Sequence, residues 1–165
     1  MEYTIRMARP EDAAAAAAIE AACFPAAEAC GLEEFKKRIA VFPDSFWIAE
    51  AAGEPVGFVN GCVTDAPLLP DELYHDASLH QPDGAYQTVF GLDVLPACQR
   101  QGIAAALLTR LLADSRARGK KGAVLTCKDR LRRYYEKFGF RFRGVADSTH
   151  GGAVWNLMVL EFEEE

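Results

Sequence analysis

The chain has 165 residues, half of them apolar and a quarter charged, and its 18 basic and 24 acidic residues give a net charge of −6. This size and composition favour one soluble globular domain over residues 1–165. We expect it to act as a monomer or a homodimer. The negative charge argues against nucleic acid as a partner, because nucleic-acid-binding domains usually carry a basic surface.

The cysteines and the apolar runs bear on the compartment. The five cysteines are odd in number and form no Cys-x-x-Cys pair, which favours neither a disulfide framework nor a zinc site. Reduced thiols are typical of the cytoplasm. No apolar run has membrane-spanning length, and the first residues lack the pattern of a secretory signal. We therefore expect a cytoplasmic protein with no bound metal and no membrane partner.

The first third of the chain alternates between strand and helix signals. Pro10, followed by two acidic residues, favours the start of a helix, and Ala52-Gly53 predicts the turn of a hairpin. The predicted elements are a strand over 3–7, a helix from Pro10 to about Cys23, a helix over 32–40, and hairpin strands over 46–50 and 56–63.

A long irregular segment follows over 64–87, with three prolines and one short helix predicted over 71–78. Loops of this length inside a compact domain are usually functional or mobile. We expect this segment to help cover the substrate.

The second half of the chain predicts a strand–helix–strand unit and further strands. A right-handed crossover between Val94 and Ala123 predicts that their strands are parallel neighbours. The whole order of elements predicts an α/β fold, a mixed sheet with helices on both faces. The predicted elements are strands over 89–95, 123–127, 141–145 and 153–162, and helices from about Ile103 to Gly119 and over 131–137.

The stretch from Gln99 to Ala104 joins the predicted strand and helix of that unit. The first N–H groups of a helix have no internal partners, and the helix dipole adds positive charge there, so phosphate binds favourably. Gly102 leaves room for a ligand to approach the backbone, and Arg100 can add a forked donor. The pattern favours a phosphate site over an ordinary connection that happens to contain a glycine.

Two stretches resemble the GNAT N-acetyltransferases. Gln99-x-x-Gly102-x-Ala104 matches the acetyl-CoA loop of that family, Q/R-x-x-G-x-G/A, and 133–140 resembles its F/Y-Y-E-x-x-G-F element. The resemblance implies the GNAT fold, with a mixed central sheet whose fourth and fifth strands splay apart. It also implies acetyl-CoA as co-substrate.

Within that family the chain looks most like the arylalkylamine (serotonin-type) N-acetyltransferases and their microbial relatives. This resemblance implies transfer of acetyl to a primary amine, small or arylalkylamine, by direct attack in a ternary complex. A protein N-terminus or lysine as acceptor, and a non-catalytic acyl-CoA sensor, are the alternatives. The residues that carry the likeness lie in 73–84, in the acetyl-CoA loop, in 125–129, around Tyr135, and in 148–155.

The family also implies roles for individual residues. Leu92, Asp93 and Val94 are expected to bind the pantetheine arm and to supply a backbone N–H for the oxyanion. Tyr135 is expected to lie near the thioester sulfur and to protonate the thiolate as general acid, since a phenol is protonated at neutral pH. The pyrophosphate is expected to bind Arg100, Gln101, Gly102, Ile103, Ala104 and Ala105.

The resemblance does not assign a residue as the general base. The animal melatonin-pathway enzymes have two histidines on this strand that relay the proton of the amine, whereas Thr88 and Phe90 stand here, and neither can be a base. His150 is the first candidate, because imidazole titrates near neutral pH. His80, Asp93 and ordered water are the others.

Two further side chains have both a functional and a plain interpretation. Asp93 is interpreted first as a solvated or capped carboxylate. Cys127, beside Lys128, could be a nucleophile, but acyl transfer from acetyl-CoA needs no enzyme thiol, so a buried structural thiol is the preferred interpretation.

Overall fold

The computed structural model describes residues 1–148 and 150–163. The side chain of His150 also lies outside the described part of the chain. The strands are β1 (Thr4–Met7), β2 (Phe46–Ala51), β3 (Glu54–Asn60), β4 (Val63–Thr64), β5 (Tyr86–Val89), β6 (Gly91–Val94), β7 (Gly122–Cys127), β8 (Arg141–Val145) and β9 (Asn156–Glu161). The helices are α1 (Ala13–Cys23), α2 (Leu32–Val41), α3 (Glu72–His75), α4 (Ile103–Ala117) and α5 (Arg132–Glu136).

The strands form two sheets. The first has the order β1-β2-β3-β6 and is antiparallel throughout. The second has the order β4-β5-β7-β9-β8, and its β5–β7 pair is parallel. The α/β fold is therefore confirmed, with two sheets in place of one mixed sheet.

Alternating side chains of β2 and β3 form two cores on opposite faces of the first sheet. Trp47 and Val59 pack with α4, whose buried stripe includes Leu107 and Leu111. The phenylalanines of β2 and β3 pack instead with α1 and α2. The prediction of helices on both faces is therefore confirmed. The helices pack there because each one has an apolar face that an apolar strand face covers.

The chain changes sheets at two glycine-containing positions, and two predicted strands are split there. The predicted strand 56–63 ends at Asn60, and the predicted strand 89–95 breaks at Phe90. A Cβ on Gly61 would lie 1.9 Å from the Thr88 carbonyl oxygen, so only glycine allows this approach. A search for apolar periodicity cannot detect such a crossing, because the apolar run continues through it.

The break at Phe90 corrects the predicted neighbour of β7. Residues of β5 pair with β7, and Val89 with Leu125 is the last pair of that parallel ladder. Val94 pairs with Gly57 of β3 and not with β7. The parallel neighbours are therefore Tyr86–Val89 and Gly122–Leu125, and a gap opens between β6 and the end of β7.

A buried ion pair fastens β1 to the turn before α1. Asp12 is 3% exposed, and its two oxygens accept hydrogen bonds from the Arg6 guanidinium at 2.7 and 2.9 Å. The Arg9 backbone N–H donates to the same carboxylate at 2.7 Å. Burial acts to raise the pKa of Asp12, but these donors outweigh it and the net pKa is lowered.

Replacing Asp12 with Asn should lower the free energy of unfolding by about 2 kcal/mol at neutral pH, because Arg6 loses its forked partner. A carboxyl whose pKa is lowered in the folded state stabilises above the ordinary aspartate value, about 3.9. The difference between wild type and variant should therefore shrink as the pH falls through the acid range. Urea unfolding across pH measures it, with exposed Glu33→Gln as control. A constant difference from neutral to acid pH would contradict the assignment.

Candidate active site

A cavity of about 230 Å³ occupies the gap between β6 and β7. Gly91 and Leu92 line it from β6, and residues Leu125–Lys128 line it from the end of β7. In the described part of the chain β6 is the edge of its sheet, so one side of its backbone pairs with β3 and the other faces this gap. Such an edge carries N–H and C=O groups ready to pair with an added extended ligand.

The turn after β6 presents the start of α4. Arg100 and Gly102 both have left-handed backbones, with φ of +63° and +80°. A Cβ on Gly102 would meet nothing within 4 Å, so the space in front of it is open. No side chain caps the helix, and Ala106 N–H, bonded to Gly102 O, makes its first helical hydrogen bond. The preceding N–H groups are therefore available to an anion.

Gln99 has a structural role in this turn that the motif alone did not reveal. Its side-chain amide donates to the Val94 carbonyl at 3.1 Å, and Cys98 N–H donates to Leu95 O at 2.8 Å. These bonds tie the turn to the end of β6. The mouth of α4 and the gap between the strands are thus held in a fixed relation.

Tyr135 lines the cavity from α5 and is 9% exposed. Its ring packs edge-on against Tyr134 and Phe140, with centroids 5.3 and 6.0 Å away. Burial raises the pKa of Tyr135, and nearby Cys127 and Tyr134 add to the effect. The phenol therefore keeps its proton through the neutral range and can act as a donor there.

Cys127 is a buried thiol, in agreement with the interpretation preferred from the sequence. It is 2% exposed, and burial raises its pKa to about 11. A thiol with a raised pKa carries little thiolate at neutral pH and is a poor nucleophile.

The long segment between β4 and β5 reaches the cavity through α3. Tyr74 lines the cavity, its hydroxyl lies 3.0 Å from Thr126 Oγ1, and its carbonyl accepts from Arg38 Nη2 at 2.9 Å. Its ring lies 4.6 Å from that of Phe90, centroid to centroid. The predicted helix over 71–78 is shorter than expected, but the segment does form a wall of the cavity.

The candidate bases and the two residues that replace the histidine pair lie in different surroundings. Thr88 is fully buried and donates its hydroxyl proton to Cys62 O at 2.9 Å. Phe90 lines the cavity beneath the Arg38 guanidinium, 4.5 Å from its ring centroid. His80 lies outside the cavity, where Nδ1 accepts from Val63 N–H at 2.9 Å. The His150 side chain lies outside the described residues.

The interpretation of Asp93 as a solvated or capped carboxylate is wrong. Asp93 is 1% exposed, and neither of its oxygens accepts a hydrogen bond from a donor in the described chain. Burial, followed by the neighbouring Glu20 carboxyl, raises the pKa of Asp93 far above its ordinary range. Its side chain points to the α1 side of β6, opposite to Leu92.

Glu20 is a cavity residue that sequence reasoning missed. It is 7% exposed, and its Oε2 accepts from Cys30 N–H at 2.8 Å. The available signal was its isolation, because Glu20 is the one charged residue among the apolar residues of α1. An isolated charge within an otherwise apolar helix that packs on a sheet indicates a buried polar site.

An ion pair lines another wall of this cavity. Lys128 Nζ is 2.8 Å from Glu28 Oε1 and 5.8 Å from the ring centroid of Trp155. All three residues line the cavity. Among the described residues, no group of three His, Cys, Asp or Glu side chains could hold a metal ion, and no helix is long and apolar enough to cross a membrane.

The comparisons with known proteins agree with this architecture. Residues 13–140 match the model of the acetyltransferase (GNAT) family, which is most of the chain. The chain therefore belongs to the GNAT acetyltransferase family, whose members use acyl-CoA donors, and the family predicted from the sequence is confirmed.

The chain is also similar to individual known proteins, at 23 to 32% sequence identity. The chain is similar to a serotonin N-acetyltransferase of Mesocricetus auratus, with 32% identity over 123 residues, covering 73% of this chain and 57% of that protein. It thus spans little more than half the length of this curated relative. Among solved structures it is similar to GphF, a GNAT-like decarboxylase in complex with isobutyryl-CoA, with 25% identity, coverage of 96% and 98%, and a TM-score of 0.83. It also shares its fold with a GNAT family acetyltransferase from Brucella melitensis in complex with acetyl-CoA, with 23% identity, coverage of 99% and 90%, and a TM-score of 0.62.

Proposed function

We propose that this protein is a cytoplasmic N-acetyltransferase that moves acetyl from acetyl-CoA to a small primary amine. The observation that carries the proposal is the continuity of two features. The unpaired edge of β6 leads directly into the open N-terminus of α4, which offers strand-like pairing followed by an anion site. A pantetheine arm with a pyrophosphate at its end has that same order of groups.

The binding roles follow from that continuity. The gap-facing backbone groups of Leu92 and Val94 pair with the amides of the pantetheine arm, while Asp93 between them directs its N–H and C=O to Phe58 of β3. The N–H groups from Gly102 to Ala105 hold the pyrophosphate at the positive end of α4, with Arg100 and Gln101 on the exposed rim. Acetyl-CoA then enters as a co-substrate, and the reaction as written requires no metal.

The chemistry is direct acyl transfer in a ternary complex. The free amine attacks the thioester carbonyl, and a backbone N–H of β6 stabilises the oxyanion. Tyr135 gives its proton to the departing thiolate. Positioning and oxyanion stabilisation supply most of the rate enhancement.

The walls of the cavity favour a small acceptor over a protein. Tyr74 and Phe90 close one side, and the hydrogen bond between Tyr74 and Thr126 fastens α3 across to β7. Aromatic walls suit an arylalkylamine, and the serotonin N-acetyltransferase relative acts on such an amine. A peptide acceptor requires a groove open at both ends.

The test is CoA release measured with acetyl-CoA and a panel of acceptors: phenethylamine, tryptamine, spermidine and a short peptide. Release with the small amines and not with the peptide supports the proposal. Release with the peptide alone favours a protein acetyltransferase. Tight binding of CoA without release for any acceptor favours an acyl-CoA sensor.

Replacing Gly102 with Glu should abolish CoA binding, because it places bulk and negative charge at the phosphate site. Gly119, at the other end of α4, is the matched control. It has the same φ of +80° and equally open space, so Gly119→Glu carries the same backbone strain far from the phosphates. Calorimetry with CoA compares the two variants. If the two variants bind CoA with equal affinity, the assignment of the anion site to the N-terminus of α4 is wrong.

Replacing Tyr135 with Phe should lower kcat about 100-fold while CoA affinity stays nearly unchanged, because the leaving thiolate loses its proton donor. Tyr134→Phe is the matched control, since its ring packs against Tyr135 but does not line the cavity. Single-turnover kinetics report the chemical step. An unchanged rate for the Tyr135 variant would exclude it as the acid.

A further inference from the structure

A buried polar corner lies where the C-terminal end of α1 meets β6. The space where a Cβ of Gly91 would sit is surrounded by Asp93 Oδ1 at 3.2 Å, Glu20 Oε1 at 3.6 Å and Asn60 Nδ2 at 3.7 Å. Gly91 and Glu20 both line the cavity, so the corner adjoins it. Nothing in the acetyl-CoA loop or the Tyr135 element accounts for these side chains.

The polar groups of this corner are short of partners. Neither oxygen of Asp93 accepts a hydrogen bond, and Asn60 Nδ2 and Arg38 Nε have no acceptor within the described residues. All three side chains are at most 3% exposed. Buried polar groups are normally paired, because an unpaired one costs about 1–3 kcal/mol. Asp93, Asn60 and Arg38 therefore form a cluster of buried polar groups next to the cavity.

Protonation accounts for the two carboxyls. The two carboxyls lie close together, because Asp93 Oδ1 and Glu20 Oε1 are 3.2 and 3.6 Å from the same point, the Cβ position of Gly91, and two ionised carboxylates this close disfavour each other. Glu20 already accepts from Cys30 N–H and lies on the cavity, whereas Asp93 lies deeper. Burial and the neighbouring Glu20 raise the pKa of Asp93, so Asp93 is the carboxyl that keeps its proton, and as a neutral acid it can donate a hydrogen bond to Glu20.

We propose that Glu20 accepts the proton of the acceptor amine, and that Asp93 is a positioning residue which holds the Glu20 carboxylate towards the cavity. This inference rests on the proposed acetyltransferase function and supplies the base that Thr88 and Phe90 cannot. The end of α1, where Phe24 N–H bonds to Glu20 O at 2.9 Å, adds partial negative charge that attracts an ammonium group.

Glu20, Tyr135 and water together account for the protons of the reaction. Glu20 takes a proton from the ammonium group, and the electron pair of the broken N–H bond stays on nitrogen. That nitrogen forms a bond to the thioester carbon, the C–S bond breaks, and the thiolate takes the phenol proton of Tyr135. The tyrosinate recovers a proton from the nitrogen of the adduct, and Glu20 returns its own to water. The products are the amide, the thiol and one released proton.

Several other charged and titratable side chains face Glu20. Arg38 and Glu34 face the corner from α2, and the thiols of Cys23 and Cys30 lie beside it. Burial raises the pKa of both thiols to about 11, so they stay neutral near pH 7. Arg38 is the cation that faces the carboxyl pair, and Glu34 adds a further carboxyl on the same side.

The experiment compares acceptors that differ in their own basicity. Glu20→Gln should lower kcat/KM about 100-fold for phenethylamine near pH 7, because that amine is mostly protonated. The loss should shrink about tenfold per pH unit as free amine accumulates. For 2,2,2-trifluoroethylamine, which is already neutral, variant and wild type should agree within about threefold. Glu33→Gln, an exposed substitution with the same charge change, should match wild type with both amines.

Two substitutions of Asp93 test its role, one that removes its hydrogen-bonding groups and one that keeps a donor. Asp93→Leu should lower kcat/KM about tenfold, whereas Asp93→Asn, which keeps a donor towards Glu20, should recover most of the loss. Carbon-13 NMR of the carboxyl groups supplies a readout independent of turnover. One carboxyl of the pair should remain protonated from about pH 5 to 8 in wild type, and the signal should disappear in Asp93→Asn.

Three results would overturn the inference. The first is an equal loss for both amines in Glu20→Gln, which would indicate damage unrelated to proton transfer. The second is a loss confined to the protonated amine in His150→Gln, with Glu20→Gln unaffected, which would assign the base to His150. The third is NMR titration of both carboxyls in the ordinary acid range. A wild-type protein that binds acetyl-CoA but acetylates no amine would instead refute the proposed function, and the NMR result would still decide the state of the pair.

Discussion

The close approach of Gly61 to the Thr88 carbonyl is the contact on which the site depends. At this point the chain leaves the first sheet for the second, and the neighbouring strand makes the opposite change at Phe90. Because both strands change sheets together, the backbone hydrogen bonds continue while β6 separates from β7. The gap is thus built from paired strands rather than from a loop.

Charge balance is the second constraint on this gap. Arg38 is 3% exposed, stacks on Phe90 and bonds to Asn60 and to the Tyr74 carbonyl. A buried guanidinium is costly unless a negative charge lies near it. The carboxyl pair of Glu20 and Asp93, holding one proton as proposed, supplies one such charge near Arg38. The same arrangement leaves a carboxylate facing the cavity, where an ammonium group can approach.

Sequence patterns predicted what depends on local chemistry and missed what depends on crossings between strands. The helices α1, α2 and α4 lie where alanine runs, apolar stripes and glycine stops placed them, and the turn before α4 has the predicted form. The splits at Gly61 and Phe90 could not be detected, because a strand that changes sheets keeps its apolar pattern. The parallel neighbour of β7 was therefore assigned to Val94 instead of Val89.

The same limit applied to the site. Tyr135 and the loop before α4 carry short motifs, so both could be predicted, although their roles remain proposals. Glu20 and Asp93 are 73 positions apart in numbering and meet only because α1 packs across β6, so no spacing rule joins them. The anomaly visible in the sequence was a lone acidic residue in each of two apolar elements. Pairing such anomalies requires the fold.

The unpaired edge of β6 also has a bearing on the life of the protein in a cell. An extended arm that pairs with this edge, as proposed for the pantetheine of acetyl-CoA, supplies an additional strand. Folding and loading are then linked, since a ligand at a hundredfold excess over its dissociation constant adds about 2.7 kcal/mol to stability. On the proposed function, the resistance of the protein to unfolding therefore rises with the supply of acyl carrier.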